Sequence, residues 1–245
     1  MLPDICKKFW NESFINPFDK TDRQKGVKPP PFELPFDEDN LIELPNPKNL
    51  EFENFNLTDF IENRRTVRNY SKNPLSLDEL SFLLWATQGL TKKLSDERSL
   101  RTVPSAGARH AFETLLLVNN VENLNNGLYR YVVSKHKLLP LNFDKQDIEN
   151  LIAAFRNINL VINAAVTFLW VCAPERMCWA FGARGYRYIL LDAGHVCQNL
   201  YLAAEAIDCG CCAIGAFDDE EMNLVLKLAD KNFFLPYAAT IGKKC

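Results

Sequence analysis

Between Glu113 and Leu141 three apolar runs follow one another too closely for helices to separate them: ETLLLVNN, then NNGLYRYVV entered through an Asn-Asn-Gly turn, then KLLPL. A parallel neighbour needs a crossover of about a dozen residues or more, whereas an antiparallel one needs only a tight turn. The centre of the chain is therefore committed to antiparallel pairing. Around it the patterns alternate irregularly. PLSLDELSFLLWATQG carries a capping box at Ser76 and Glu79, leucines at 77, 80, 83 and 84 on one side, and Gly89 as a stop, which predicts a helix. Farther along, the expected order is a helix from Asp144 through Phe155, a buried strand in AAVTFLWVC and a long helix over about 185–207. A strand in CCAIGAF, a helix in DDEEMNLVLKLA and a last strand in LPYAATIGK complete it. That order lacks the regular unit of a doubly wound fold. It predicts an α+β sandwich, a mixed and mainly antiparallel sheet flanked by helices.

Residues 1–56 read differently from 57–245. The first stretch is rich in proline and acids, as in KPPPFELPFDEDNLIELPNPKNL, and has no sustained period. Phe32, Phe36, Leu41 and Ile42 are too apolar for a free linker, so an extended arm wrapping the body is expected, with the packed domain after it. Charge excludes one class of partner: 28 basic residues against 31 acidic ones leave no footprint for nucleic acid. The longest apolar run, Ala164 to Ala173 with Thr167 admitted, is too short for a bilayer, and MLPDICKKFWNESF lacks the apolar stretch of a signal peptide. No membrane contact, a cytoplasmic location and reduced thiols are expected. Cys209, Cys211 and Cys212 suggest a metal cluster at first sight, but neighbouring residues of a strand point to opposite faces. His110, His136 and His195 add no ligand spacing, so no metal site is expected.

Two stretches carry chemistry. RRTVRNY places Arg64, Arg65 and Arg68 within five positions. Such a run suits the C-terminal end of a short helix capped by Thr58, or it holds an anion. VPSAGARHAFE enters a turn through Pro104 and then offers Ser105, Ala106, Gly107 and Ala108, small residues whose backbone a flat ring could approach closely. A serine hydrolase would need Ser105 as its nucleophile and a histidine beside it. His195, however, falls in the middle of the long helix, where a core histidine is the ordinary outcome. Nucleophile elbow, phosphate P-loop and dinucleotide fingerprint are all absent.

In order, RRTVRNY, PLSLDELSFLLWATQGL, PSAGARHAFE, GLYRY, the block RGYRYILLDAGHVCQNLYLAAEAIDCGCCAIGAFDDEEMNLVL and a terminal IGK strongly resemble the nitroreductase superfamily. More narrowly they resemble its SagB-type branch, which includes thiazoline and oxazoline dehydrogenases of modified peptides. The resemblance spans roughly residues 57–244. It implies a homodimeric flavoprotein that binds FMN between its subunits and passes hydride through flavin N5. It assigns Arg64, Arg65, Thr66 and Arg68 to the phosphate, with Lys243 reaching it from the last strand. Pro104, Ser105, Ala106, Gly107 and Ala108 match the segment beside the neighbouring subunit's ring, followed by Arg109. Ile214 and Gly215 match the backbone amides at the N5 edge. Either Asn157 or Asn159 matches an amide that assists the flavin.

One departure bears on activity. Azoline dehydrogenases of the branch use a Lys-Tyr pair within Trp-Lys-Tyr-Gly, where this chain reads Trp179-Ala180-Phe181-Gly182. A methyl and a phenyl group move no protons. The expectations are therefore an FMN-dependent SagB-like oxidoreductase acting on a small molecule or modified peptide, a nicotinamide-fed reductase of nitroaromatics or quinones, or a flavin-binding scaffold without turnover.

Overall fold

A computed structural model describes residues 3–15, 18–51 and 56–245. In chain order the elements are α1 (Asp4–Glu12), β1 (Ile42–Glu43), α2 (Leu57–Asn63), α3 (Leu77–Gln88), β2 (Leu90–Ser95), β3 (Arg98–Arg101), β4 (Phe112–Val118), β5 (Gly127–Val132) and β6 (Lys137–Pro140). They continue with α4 (Lys145–Ala153), α5 (Ile158–Asn163), β7 (Val166–Cys172), α6 (Pro174–Phe181), α7 (Gly185–Ala206), β8 (Cys209–Ile214), α8 (Asp219–Val225) and β9 (Phe234–Lys243).

Seven strands form one sheet in the order β1-β6-β5-β4-β7-β9-β8, every neighbouring pair antiparallel. The parallel component enters at the margin, where Thr66 bridges Cys211 on the outer edge of β8 and the Val67 N–H donates to the Cys211 carbonyl. Period-two alternation sends side chains to two cores. Leu116, Phe168, Trp170, Cys211 and Ile241 pack with α3 and α7, while Leu115, Leu117, Leu169, Cys212 and Ala238 pack with α4, α5 and α8. Each large apolar side chain taken out of water in these layers contributes about 1.5–3 kcal/mol before entropy is counted. The strand that separates Cys211 from Cys212 also scatters the thiols, and no metal-binding group occurs among the described residues. Burial pushes Cys197 and Cys209 up to about 12, so these thiols behave as inert core groups.

Several local expectations meet corrections. The cap of α2 is Asn56, whose side chain accepts from the Thr58 N–H; Thr58 lies inside the helix. The helix begun at Asp144 ends at Ala153, and a separate short helix, α5, precedes β7. The hairpin β2–β3 has no counterpart in the predicted order. His195 is half exposed on α7 instead of buried.

The first stretch adds β1 to the sheet and is held by buried arginines of the body. Arg101 donates to the Phe32 carbonyl at 2.9 Å and to Gln88 at 2.7 Å, and Arg130 donates to the Pro35 carbonyl at 2.8 Å. Glu113 accepts from the Leu34 N–H and from Arg176.

Candidate flavin site

The arginine run sits where α2 ends and the chain turns onto the edge of β8. Arg65 donates back to the carbonyls of Glu62 and Arg64, capping α2. The Arg64 guanidinium lies 5.2 Å over the ring of Tyr201, which projects from α7. Thr66 Oγ1 is 3.1 Å from the Tyr201 hydroxyl, and that hydroxyl accepts from the Ala213 N–H at 3.0 Å. Arg68 faces the Cys212 thiol. Among the described residues no carboxylate pairs with Arg64, Arg65 or Arg68. Arg65 and Arg68 are exposed and Arg64 is half-buried, three cations close in sequence with no counter-charge among the described residues. A cleft of about 550 Å³ opens beside Arg68, lined by Thr66, Arg68 and Asn69 on one side and by Asn157, Asn159 and Asn163 on the other. Asn157 uses its side-chain carbonyl to cap α5.

Lys243, at the end of β9, is bonded through its ammonium to Glu79 in the capping box of α3. Its backbone carbonyl receives the Ser71 N–H, so the segment after the arginines runs alongside it. From Cys211, opposite Thr66, β8 leads to Ile214 and the exposed Gly215. Four strand residues cover about 13 Å. Thr66 therefore meets the middle of the strand whose end carries the Ile214–Gly215 amides.

The small-residue turn lies elsewhere on α7. The Ala106 N–H donates to Asp192 at 3.3 Å, and the Ser105 hydroxyl oxygen accepts from the His110 N–H at 2.9 Å. Gly107, Ala108 and His110 all adopt positive φ, a strained run of backbone. A Cβ on Gly107 would come within 3.0 Å of the Phe181 ring, so the turn rests directly on that ring. Asp192 is buried with one carboxylate oxygen unpartnered, and burial raises its carboxyl above the usual range in spite of Ser105 and Ala106. Nine helix residues, roughly 14 Å of α7, separate Asp192 under this turn from Tyr201 under the arginines. One chain thus holds the two groups of residues apart.

Ala180 and Phe181 line a different cavity, about 440 Å³, together with Phe14 and Arg23 from the first stretch. Phe181 packs edge-on against Tyr188, ring centroids 4.9 Å apart. No proton-transfer group stands at either position.

Reading from residues missed Tyr201. Its contacts to Thr66 and Ala213 depend on where α7 lies, 135 residues along the chain from Thr66, and no local spacing announces them.

Residues 61–243 match the nitroreductase family. The nitroreductase-like protein MJ1384 of Methanocaldococcus jannaschii is 35 % identical over 203 residues, covering 83 % of this chain and 96 % of that protein. Among solved structures, a chain of the E. coli microcin synthetase McbBCD complex, with truncated pro-MccB17 bound, superposes with a TM-score of 0.63 at 19 % identity. That likeness covers 99 % of this chain and 92 % of the other. A nitroreductase-like protein of Desulfovibrio desulfuricans in complex with FMN superposes with a TM-score of 0.56 at 18 % identity, covering 78 % and 88 %. Among the described residues no helix is long and apolar enough to cross a membrane.

Proposed function

The chain belongs to the nitroreductase family, and from that premise we propose that it is an FMN-dependent oxidoreductase of the SagB-like dehydrogenase type, working as a homodimer. The observation that carries this reading is the group of three arginines with no carboxylate opposite them, set beside Thr66 at the edge of β8. Guanidinium groups offer only donors, in a fork that matches phosphate oxygens, and the bonds are charge-assisted. Arg64, Arg65, Thr66 and Arg68 hold the phosphate, with Lys243 able to join them by leaving Glu79. When bound, FMN would supply hydride transfer. The Ile214 and Gly215 amides present N–H groups where negative charge would accumulate. The turn from Pro104 to Ala108 serves the site of a second copy, because within one chain it lies about 14 Å along α7 from the phosphate residues. Exposed Tyr186, Leu190 and Leu191 on α7 supply apolar surface for that pairing.

A modified peptide is the substrate class favoured by the likeness to a microcin synthetase chain, since it extends through the first stretch as well as the domain. Ala180 and Phe181 favour a second reading, reduction of quinones or nitroaromatics by a nicotinamide donor, because neither position holds an acid or base. A scaffold without turnover is the third.

The purified protein should be yellow and release about one FMN per chain, and Arg65→Ala should weaken FMN binding by about 2 kcal/mol. Colourless protein that takes up no added FMN would end the flavin reading. Ala180→Lys with Phe181→Tyr should raise thiazoline oxidation by about 10²–10⁴-fold with FMN content unchanged if peptide chemistry is the native task. Rapid flavin bleaching by NADH or NADPH in the unaltered protein would favour the reductase. Bleaching by neither donor in either form leaves the scaffold.

A further inference from the structure

We propose that Tyr201 is a positioning residue that makes Thr66 a dedicated hydrogen-bond donor toward the bound anion, and so sets the preference for a phosphorylated over an unphosphorylated flavin. The inference rests on the flavin reading above. Its basis is hydrogen-bond direction. The Tyr201 hydroxyl lies 3.0 Å from the Ala213 nitrogen, which can only donate, so the phenol oxygen is an acceptor there. Its single proton remains, and Thr66 Oγ1 at 3.1 Å is the acceptor within reach. Burial raises the phenol above its ordinary range, so that proton stays in place near neutral pH.

Thr66 therefore has one lone pair engaged by Tyr201, and its own proton is free to point outward. Thr66 is exposed and lines the cleft beside Arg68. A threonine hydroxyl ordinarily serves as donor or acceptor, but a phosphate oxygen accepts only, so a hydroxyl fixed as donor is pre-organised for it. Arg64 stacks on the ring of the same tyrosine, so the residue that orients Thr66 also holds a guanidinium. A ribityl alcohol can donate or accept, and is indifferent to which role Thr66 plays. The effect should therefore appear in the ratio of two affinities, where a general loosening of the fold would not.

The test titrates full-length, flavin-free protein with FMN and with riboflavin by quenching of flavin fluorescence. Tyr201→Phe keeps the ring and removes the hydroxyl. It should weaken FMN about tenfold while riboflavin changes less than about twofold, the scale of one hydrogen bond. In a Thr66→Ala background, Tyr201→Phe should have no further effect on FMN. Equal losses for both ligands, or a Tyr201→Phe effect that persists without the Thr66 hydroxyl, would overturn the assignment. Should Tyr201→Phe fail to fold, Thr66→Val must lower the FMN-to-riboflavin preference about tenfold and Thr66→Ser must restore it; failure of either overturns it too. An unaltered protein with no preference for FMN defeats the phosphate reading and this inference together. A preference that survives Tyr201→Phe defeats the inference alone.

Discussion

Two groups of arginines are built from the same side chain and treated in opposite ways by the fold. Arg101, Arg130 and Arg176 are buried, and each bonds to backbone carbonyls or to Gln88 and Glu113. Arg65 and Arg68 are exposed and Arg64 half-buried, with no carboxylate beside them among the described residues. A guanidinium in a low-dielectric interior must be compensated, or the fold is lost. On the surface there is no such demand, so a group of cations without counter-charges signals something the fold does not supply. The buried group holds residues 32–35 onto the sheet; the exposed group is the one proposed above for the phosphate.

The contrast breaks most severely at Glu113, which accepts from both Arg176 and Leu34. Glu113→Ala leaves Arg176 buried and uncompensated and should cost about 3–5 kcal/mol in urea unfolding. A loss below about 1 kcal/mol would mean that the buried group is not structural in the sense argued. The same surroundings make a pH prediction. Burial, with Arg101, Arg109 and Arg176 nearby, pushes His110 down to about 2. The folded protein keeps His110 neutral while the unfolded chain protonates near pH 6.5, so stability is full above that value and falls as pH drops below it. Between pH 6.5 and 4.5 the loss should be roughly 2 kcal/mol. His136, also lowered by burial, acts in the same direction. His110→Gln should flatten the profile over that window; an unchanged slope would remove His110 as its source.

Legibility in the sequence followed the range of each interaction. Ser76 and Glu79 cap α3 through bonds three residues apart, and both bonds are present. The apolar strands and the opposite facing of Cys211 and Cys212 are likewise local consequences of period two, whereas the turn between β4 and β5 falls at Glu122–Asn123, ahead of the expected Asn125-Asn126-Gly127. The hairpin β2–β3 escaped because TKKLS is exposed, the side chains β3 buries are the polar Ser99 and Arg101, and the turn holds no glycine, so no apolar alternation marks it. The six residues of α5 are too few, and too close to β7, for their period to stand apart. Within the site, the arginines could be picked out by type, but whether they were capped, paired or open depended on β8 and on Tyr201. The sequence resemblance pointed to the phosphate segment; the hydroxyl beneath it belongs to α7 and was visible only in three dimensions.

The mildest effect separates the two groups of arginines without any flavin. Inorganic phosphate should bind the exposed cluster and leave the buried arginines untouched, since those are closed off from solvent. A ligand that binds only the folded state stabilises it by RT ln(1 + [L]/Kd), about 1.4 kcal/mol at ten times Kd. For a chain of this size that is a rise in melting midpoint on the order of 4 °C. Phosphate also stabilises folded proteins generally through exclusion from their surfaces, so the informative quantity is a difference. Arg64→Gln, Arg65→Gln and Arg68→Gln combined should abolish the saturable part of the rise and leave the general part. Chloride at matched ionic strength should give little of either. The cap that Arg65 places on α2 will lower the starting midpoint of the triple variant slightly, and this does not enter the phosphate-dependent shift. An equal saturable rise in both proteins would return the exposed arginines to a solvated face. A rise confined to the unaltered chain would mean that these cations, unlike the buried ones, are held open for a ligand.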